Sequence, residues 1–289
     1  MEVYDECIRT SLKQRAMDLE AEFKADVIFY NGPIYPGYDK RLADLIDVVK
    51  DNSPNQNRIA VFLHTGGGVV EIVEKFVDII RFHYSEVYFV VPDIAMSAGT
   101  IFCMSGDKIF MDYTSSLGPI DPQVLRGEEL VPALGYLDQV QRMIDKSKKG
   151  QLSEAEFLML SQLDLAVLSS YEQAKNLTNT LLKNWLVKYK FANWQTHRTN
   201  KKKLGKPVTQ KEKEARAEEI AKKLADNKFW HSHGRMIGID KLKDVLRLEI
   251  DDYSKNVKLR KLIRNYSELL IGYTQRHNYR IFLHNKNYF

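Results

Sequence analysis

Three short apolar runs constrain this chain most: Val27-Ile28-Phe29-Tyr30, Ile59-Ala60-Val61-Phe62-Leu63 and Val87-Tyr88-Phe89-Val90-Val91. Between them lie segments of helical periodicity, 39–50 with Leu42, Leu45, Ile46 and Val49 on one face, and 69–82. An amphipathic helix over 4–24 precedes the first run. A short helix over 97–104 and a fourth strand, Lys108 to Met111, follow the third. Strands that are apolar at every position are buried on both faces, and strand–helix alternation builds βαβ units in a mainly parallel sheet. Right-handed crossovers then put the strand-to-helix turns along the carboxyl edge. Gly66-Gly67-Gly68 and Ala95-Met96-Ser97-Ala98-Gly99 both fall on that edge.

The second half has a different texture. From Val131 to about Lys190 the pattern is helical, and Ser153 to Lys190 reads as one long helix free of Gly and Pro. Residues 193–207 are polar and basic, as in a loop. Thr209 and Glu212 are spaced as a capping box for a charged helix over 209–225. A helix over 240–246, a strand-like Arg247-Leu248-Glu249-Ile250 and a helix over 254–273 follow.

The chain of 289 residues is long enough for one large α/β domain or a smaller one with an appendage. Its net charge of +5 is small, and the basic excess is local, in the segment 200–223. Such a run is usually a solvated face, and an acidic partner, nucleic acid or lipid, is the minority reading. Two cysteines, Cys7 and Cys103, form no disulfide framework and no metal pattern. The charged N-terminus lacks the apolar core of a signal peptide, and no window reaches the roughly 20 apolar residues of a membrane span. The default compartment is the cytosol, with membrane association open.

Small residues around Ser97, between a buried strand and an apolar helix, have the form of a nucleophile elbow. Small neighbours let a carbonyl approach the hydroxyl, and the turn aims the Ala98 amide at a developing oxyanion. Taken alone the pattern is weak, because a serine N-cap in a tight turn looks the same. The glycine run adds a second source of free N–H groups, at Gly67 and Gly68. No Gly-Lys-Ser/Thr follows, which argues against a phosphate loop, and a dinucleotide fingerprint fails on spacing.

Leu63-His64-Thr65-Gly66-Gly67-Gly68-Val69-Val70 resembles the strand-end glycine motif of Clp-type peptidases and signal peptide peptidase A, with Gly66 where relatives carry proline. Met96-Ser97-Ala98-Gly99-Thr100 resembles their nucleophile motif. Asp107 to Met111 with Ser115-Ser116-Leu117-Gly118-Pro119-Ile120-Asp121-Pro122-Gln123 most resembles the serine dehydrogenase proteinase family, the SppA-like branch of that superfamily. The resemblance implies a ClpP/crotonase-like α/β fold with additional long helices in the C-terminal half. It divides the chain into a core over 1–150, a helical and basic insertion over 151–228, and a closing segment over 229–289. It further implies a homo-oligomeric serine peptidase acting on peptides or unfolded protein, with Ser97 as nucleophile, Gly68 and Ala98 (with Gly67) as oxyanion hole, and no cofactor or metal.

The general base is less direct. Where Clp-type peptidases carry their histidine this chain has Asp121, and where the signal-peptide-peptidase type carries lysine it has none until Lys146. An exchanged triad is chemically permitted, with Asp121 as acid and His233 or His231 as base. Asp121 between two prolines could instead cap a turn, and His231 with His233 is thin evidence for a metal. His64 is expected to order the glycine loop. Two rival functions stay open: a crotonase-type acyl-CoA enzyme, which Ser97 disfavours, and an inactive peptide-binding module, which the missing standard base favours.

Overall fold

The computed structural model describes residues 3–121, 123–126, 129–198 and 200–289. In chain order the first half runs α1 (Val3–Phe23), β1 (Asp26–Asn31), α2 (Tyr38–Asn52), β2 (Arg58–His64), α3 (Val70–His83) and β3 (Glu86–Val91). Then come β4 (Ile94–Ala95), α4 (Ala98–Met104), β5 (Lys108–Met111), β6 (Ser116–Leu117), β7 (Gln123–Arg126) and β8 (Glu129–Pro132). The second half comprises α5 (Ala133–Lys148), α6 (Glu154–Ser161), α7 (Leu165–Trp185), α8 (Gln210–Leu224), α9 (Asn227–Trp230), α10 (Ile239–Asp244), β9 (Asp251–Asp252), α11 (Val257–Arg276) and β10 (Phe282–His284).

The main sheet has the order β10-β1-β2-β3-β5-β9. Its pairings are parallel except β10, which runs antiparallel to β1. Because strand side chains alternate, the apolar runs feed two cores at once. Ile28, Tyr30, Val61, Leu63, Phe89 and Val91 face α2, α3 and α4. Val27, Phe29, Ala60, Phe62 and Val90 face α1 and α11. Leu181, Leu182 and Trp185 of α7 and Ala217, Ile220 and Leu224 of α8 join the first core, so the added helices share the sheet's own interior.

The α/β architecture with a mainly parallel sheet is as the apolar runs require, and Thr209 with Glu212 forms the expected capping box. Three local expectations need correction. Residues 123–126 pair antiparallel with 129–132, so the helix expected from Val131 starts at Ala133. The helix expected over Ser153–Lys190 is two: Ser153 and Glu156 cap α6, and Asp164 accepts the Ala166 and Val167 amides to start α7 afresh. Asp164 offers the backbone a new N-terminus, which outweighs the lack of Gly or Pro. The chain ends that helix in a π-helical turn, Leu186–Lys190. The strand expected at 247–250 is displaced to Asp251–Asp252; Leu248 and Ile250 are buried as alternation demands, but Arg247 sits at φ 47 and the ladder begins later.

Candidate active site

β2 and β3 end on the same edge, and the two turns there are tied together. The Thr65 amide donates to the Ile94 carbonyl and the Met96 amide to the Thr65 carbonyl, each at 3.0 Å. The Thr65 hydroxyl accepts the Gly67 amide at 3.0 Å, while its methyl lies where a Cβ on Gly99 would stand, 2.4 Å away. One buried threonine therefore locks the glycine loop to the serine turn.

Ser97 has φ 51 and ψ −116, a conformation that non-glycine residues avoid, and it directly precedes α4. Such a backbone costs about 1–3 kcal/mol and persists only where its surroundings impose it. Here the Gly99 amide closes onto the Met96 carbonyl at 2.8 Å. Thr100 adds a second tie: its hydroxyl contacts the Ala95 and Gly118 carbonyls and accepts the Gly118 amide. The Ser97 hydroxyl is half-buried and caps nothing.

The free N–H groups follow from the bridging. Ile34 bridges Gly68 by donating to the Gly67 carbonyl and accepting from the Val69 amide. Flanking groups make that bridge, so the Gly68 amide points to the opposite side and donates to no described acceptor. Ala98 opens α4, where the first amides have no intrahelical partner. Gly67 differs from expectation: its amide is committed to Thr65. What it contributes is proximity, since a Cβ on it would stand 2.9 Å from the Ser97 Cβ.

A second ribbon runs beside the serine turn. β4 pairs with β6, Ala95 opposite Leu117, and Leu117 bridges Ile237 in antiparallel fashion. Leu117, four residues before Asp121, thus neighbours the strand that leads to Ser97, with Ile237, four residues after His233, beyond it, although the Ile120 amide has already turned to the Leu224 carbonyl of α8. Asp121 is buried, at 2 % exposure. His233 is half-buried, its Nδ1 has no described partner, and burial lowers its pKa below the ordinary value. His231 is exposed with φ 64, and Lys146 pairs with Glu156 at 2.5 Å on the surface between α5 and α6. Among the described residues, no hydrogen bond or ion pair joins His233, His231 or Lys146 to Ser97.

His64 does not hold the glycine loop. Its Nδ1 lies 2.7 Å from Asn31 Oδ1 and its Nε2 3.3 Å from Asp93, and Asn31 in turn donates to Thr274 of α11. Strand alternation accounts for this: His64 has the parity of Phe62, on the α11 face, whereas Leu63 and Thr65 face the serine layer. Lys190 is the lysine whose pKa burial depresses most clearly, to about 8. It reaches the Asp107 carbonyl at the start of β5, the sheet edge opposite Ser97. Sequence reading missed Thr65 and Thr100. A hydroxyl-bearing, β-branched residue directly after a strand or inside an elbow helix was the available sign.

A family model of ClpP-like SDH-type serine proteinases matches residues 24–202. The chain belongs to this family. Two uncharacterized proteins of Methanocaldococcus jannaschii are similar, one 38% identical over 72 residues and the other 26% identical over 169. These matches cover 25% and 58% of this chain, and the chain spans 25% and 54% of those relatives. Among solved structures, a variant of the 1510-N membrane-bound stomatin-specific protease matches at TM-score 0.45 and 13% identity, covering 82% of each chain. A ClpP1 variant from Listeria monocytogenes matches at TM-score 0.29 and 20% identity, over 34% of this chain and 58% of that one. The family match crosses from the sheet into the helices of the second half.

Proposed function

We propose that the chain is a serine peptidase in which Ser97 Oγ adds to a peptide carbonyl and the Gly68 and Ala98 amides hold the resulting oxyanion. The observation that carries this reading is the strained Ser97 backbone, packed against Gly67 and flanked by two uncommitted amides. Preorganised donors of this kind stabilise the charge of the tetrahedral intermediate, and removing one typically costs 10²–10³ in rate. The proton leaves Ser97 for a base and is returned to the departing amine, and water then hydrolyses the acyl-enzyme. We assign the base to His233 and the acid to Asp121. Their support is the β4–β6–Ile237 ribbon, and a half-buried neutral imidazole is in the right state to accept a proton. His231 and Lys146 are the weaker bases, being exposed and ion-paired respectively.

The substrate class that fits is an extended peptide or unfolded protein. Self-association belongs to the same reading: α6 buries none of its residues and leaves Phe157, Leu158 and Met159 largely exposed. Light scattering on a sizing column tests it, and a monomer at micromolar concentration would remove it. Among the described residues no helix is long and apolar enough to cross a membrane.

Fluorophosphonate labelling with intact mass tests the catalytic assignment. One adduct on the wild type, lost in Ser97→Ala and suppressed in His233→Ala and Asp121→Asn, is the expected result. A wild type that never labels would leave a peptide-binding module on the same fold.

A further inference from the structure

Between Phe191 and α8 the chain closes a pinned loop on the outside of the helical layer. Thr196 bridges Pro207, the His197 amide donates to the Lys206 carbonyl, and the Val208 amide to the Gln195 carbonyl. The base of the loop is anchored. His197 is buried, with Nε2 3.2 Å from a Glu212 carboxylate oxygen, and its ring packs edge-on against Trp194, itself seated on the main core. Glu212 also caps α8 through Thr209 and takes the Lys203 ammonium at 2.6 Å.

The outward side carries Arg198, Lys201, Lys202 and Lys206, all exposed, with Leu204 65% exposed among them at the turn before Gly205. Residues 198–213 hold seven basic and one acidic side chain, against +5 for the whole chain, so the remainder of the protein is slightly acidic. Crowded like charges repel, and an exposed leucine gains nothing in water. A buried histidine and a tryptophan nevertheless hold both features in a fixed place.

We propose that this loop docks the protein on an anionic lipid surface, with the cations at headgroup phosphates and Leu204 in the acyl boundary. A bilayer offers charge and hydrocarbon together, which is the chemistry the loop presents. Nucleic acid fits less well, because the loop's aromatic side chains, Trp194 and His197, are turned inward rather than free to stack on bases. The placement has a geometric consequence. α8 starts at the loop and ends at Leu224, whose carbonyl holds the Ile120 amide beside Asp121. Docking would hold the far end of α8 no more than about one helix length, roughly 20 Å, from the membrane. The inference stands apart from the peptidase reading.

Vesicle co-sedimentation of the full chain tests it, with phosphatidylcholine alone and with about one-third phosphatidylserine added. The wild type should partition at least about tenfold better onto the anionic vesicles. Lys201→Gln/Lys202→Gln should lose about 25-fold, near fivefold per lysine. Leu204→Ser should lose about tenfold. All three proteins should keep the same circular dichroism, which separates lost docking from unfolding. Equal partition on both vesicles would overturn the proposal, as would binding insensitive to the lysine pair. Tighter binding to duplex DNA than to anionic vesicles at matched salt, with Leu204→Ser silent, would also overturn it in favour of a nucleic-acid face. Absent fluorophosphonate labelling would bear on the peptidase reading alone.

Discussion

Gly67 is packed so closely on Ser97 that a Cβ added to it would lie 2.9 Å from the serine Cβ and 2.9 Å from the Met96 carbonyl oxygen. Its φ of 109 is itself one that side chains resist. Gly67→Ala should therefore push the serine turn out of place while leaving the sheet intact. Displacements on the ångström scale cost about 100-fold in rate at a preorganised site. Fluorophosphonate labelling should slow by that order with an unchanged circular dichroism spectrum, and a rate within twofold of wild type would remove this role for Gly67.

Thr65 does two jobs that substitution can separate. Its hydroxyl accepts the Gly67 amide, and its methyl fills the space over Gly99. Thr65→Val keeps the shape and strands a buried amide, at about 1–3 kcal/mol. Thr65→Ser keeps the acceptor and removes one methyl group, at about 1 kcal/mol. Denaturant unfolding should show both destabilised, but labelling should fall mainly in the valine variant. Equal labelling in the two would mean that the hydroxyl does not hold the glycine loop.

The sheet was legible in the sequence because its central strands are buried on both sides and so carry unbroken apolar runs. The tight turn at Ser97 and the glycine loop were legible because close backbone approach demands small residues in a row. Less could be read where a later contact decides. β10 pairs antiparallel at an edge, and its short Phe282-Leu283-His284 resembles many loops. Asp164 splits a continuous helical pattern through a cap only the backbone reveals. The pinned basic loop looked unstructured because its order rests on His197, Trp194 and Glu212, which sequence composition does not link. The base is not legible for the same reason, since the ribbon beside the serine turn holds Leu117 and Ile237, four residues away in sequence from Asp121 and His233 respectively.

Acid should destabilise the protein well above the carboxylate range. His284 is buried against Tyr266, 2.7 Å from its hydroxyl, and burial with nearby Arg9 lowers its pKa to about 3. The unfolded chain takes up the proton near the ordinary 6.5, so this stability is present in full above that pH. It is lost as pH falls from there towards about 3, at up to about 1.4 kcal/mol per pH unit. Urea unfolding at about pH 7.5 and about pH 5 should show the loss in wild type and a smaller pH dependence in His284→Gln. Identical pH dependence in the two proteins would count against it.

The pH profile of Ser97 labelling discriminates between bases. Burial holds the His233 pKa below the ordinary histidine value, so the imidazole is already neutral at pH 7 and able to accept the serine proton. The labelling rate should rise with pH through a single step below about 6.5 and then stay level across neutrality. His233→Ala should remove the step and lower the plateau by about 10²–10⁴. A lysine base gives a different curve, still climbing above neutral pH. Lys190, at about 8, is the group placed to mimic such a curve, but it lies at the opposite sheet edge. Lys190→Met should therefore leave the profile unchanged, and a step near pH 8 that vanishes in that variant would transfer the role of base away from His233.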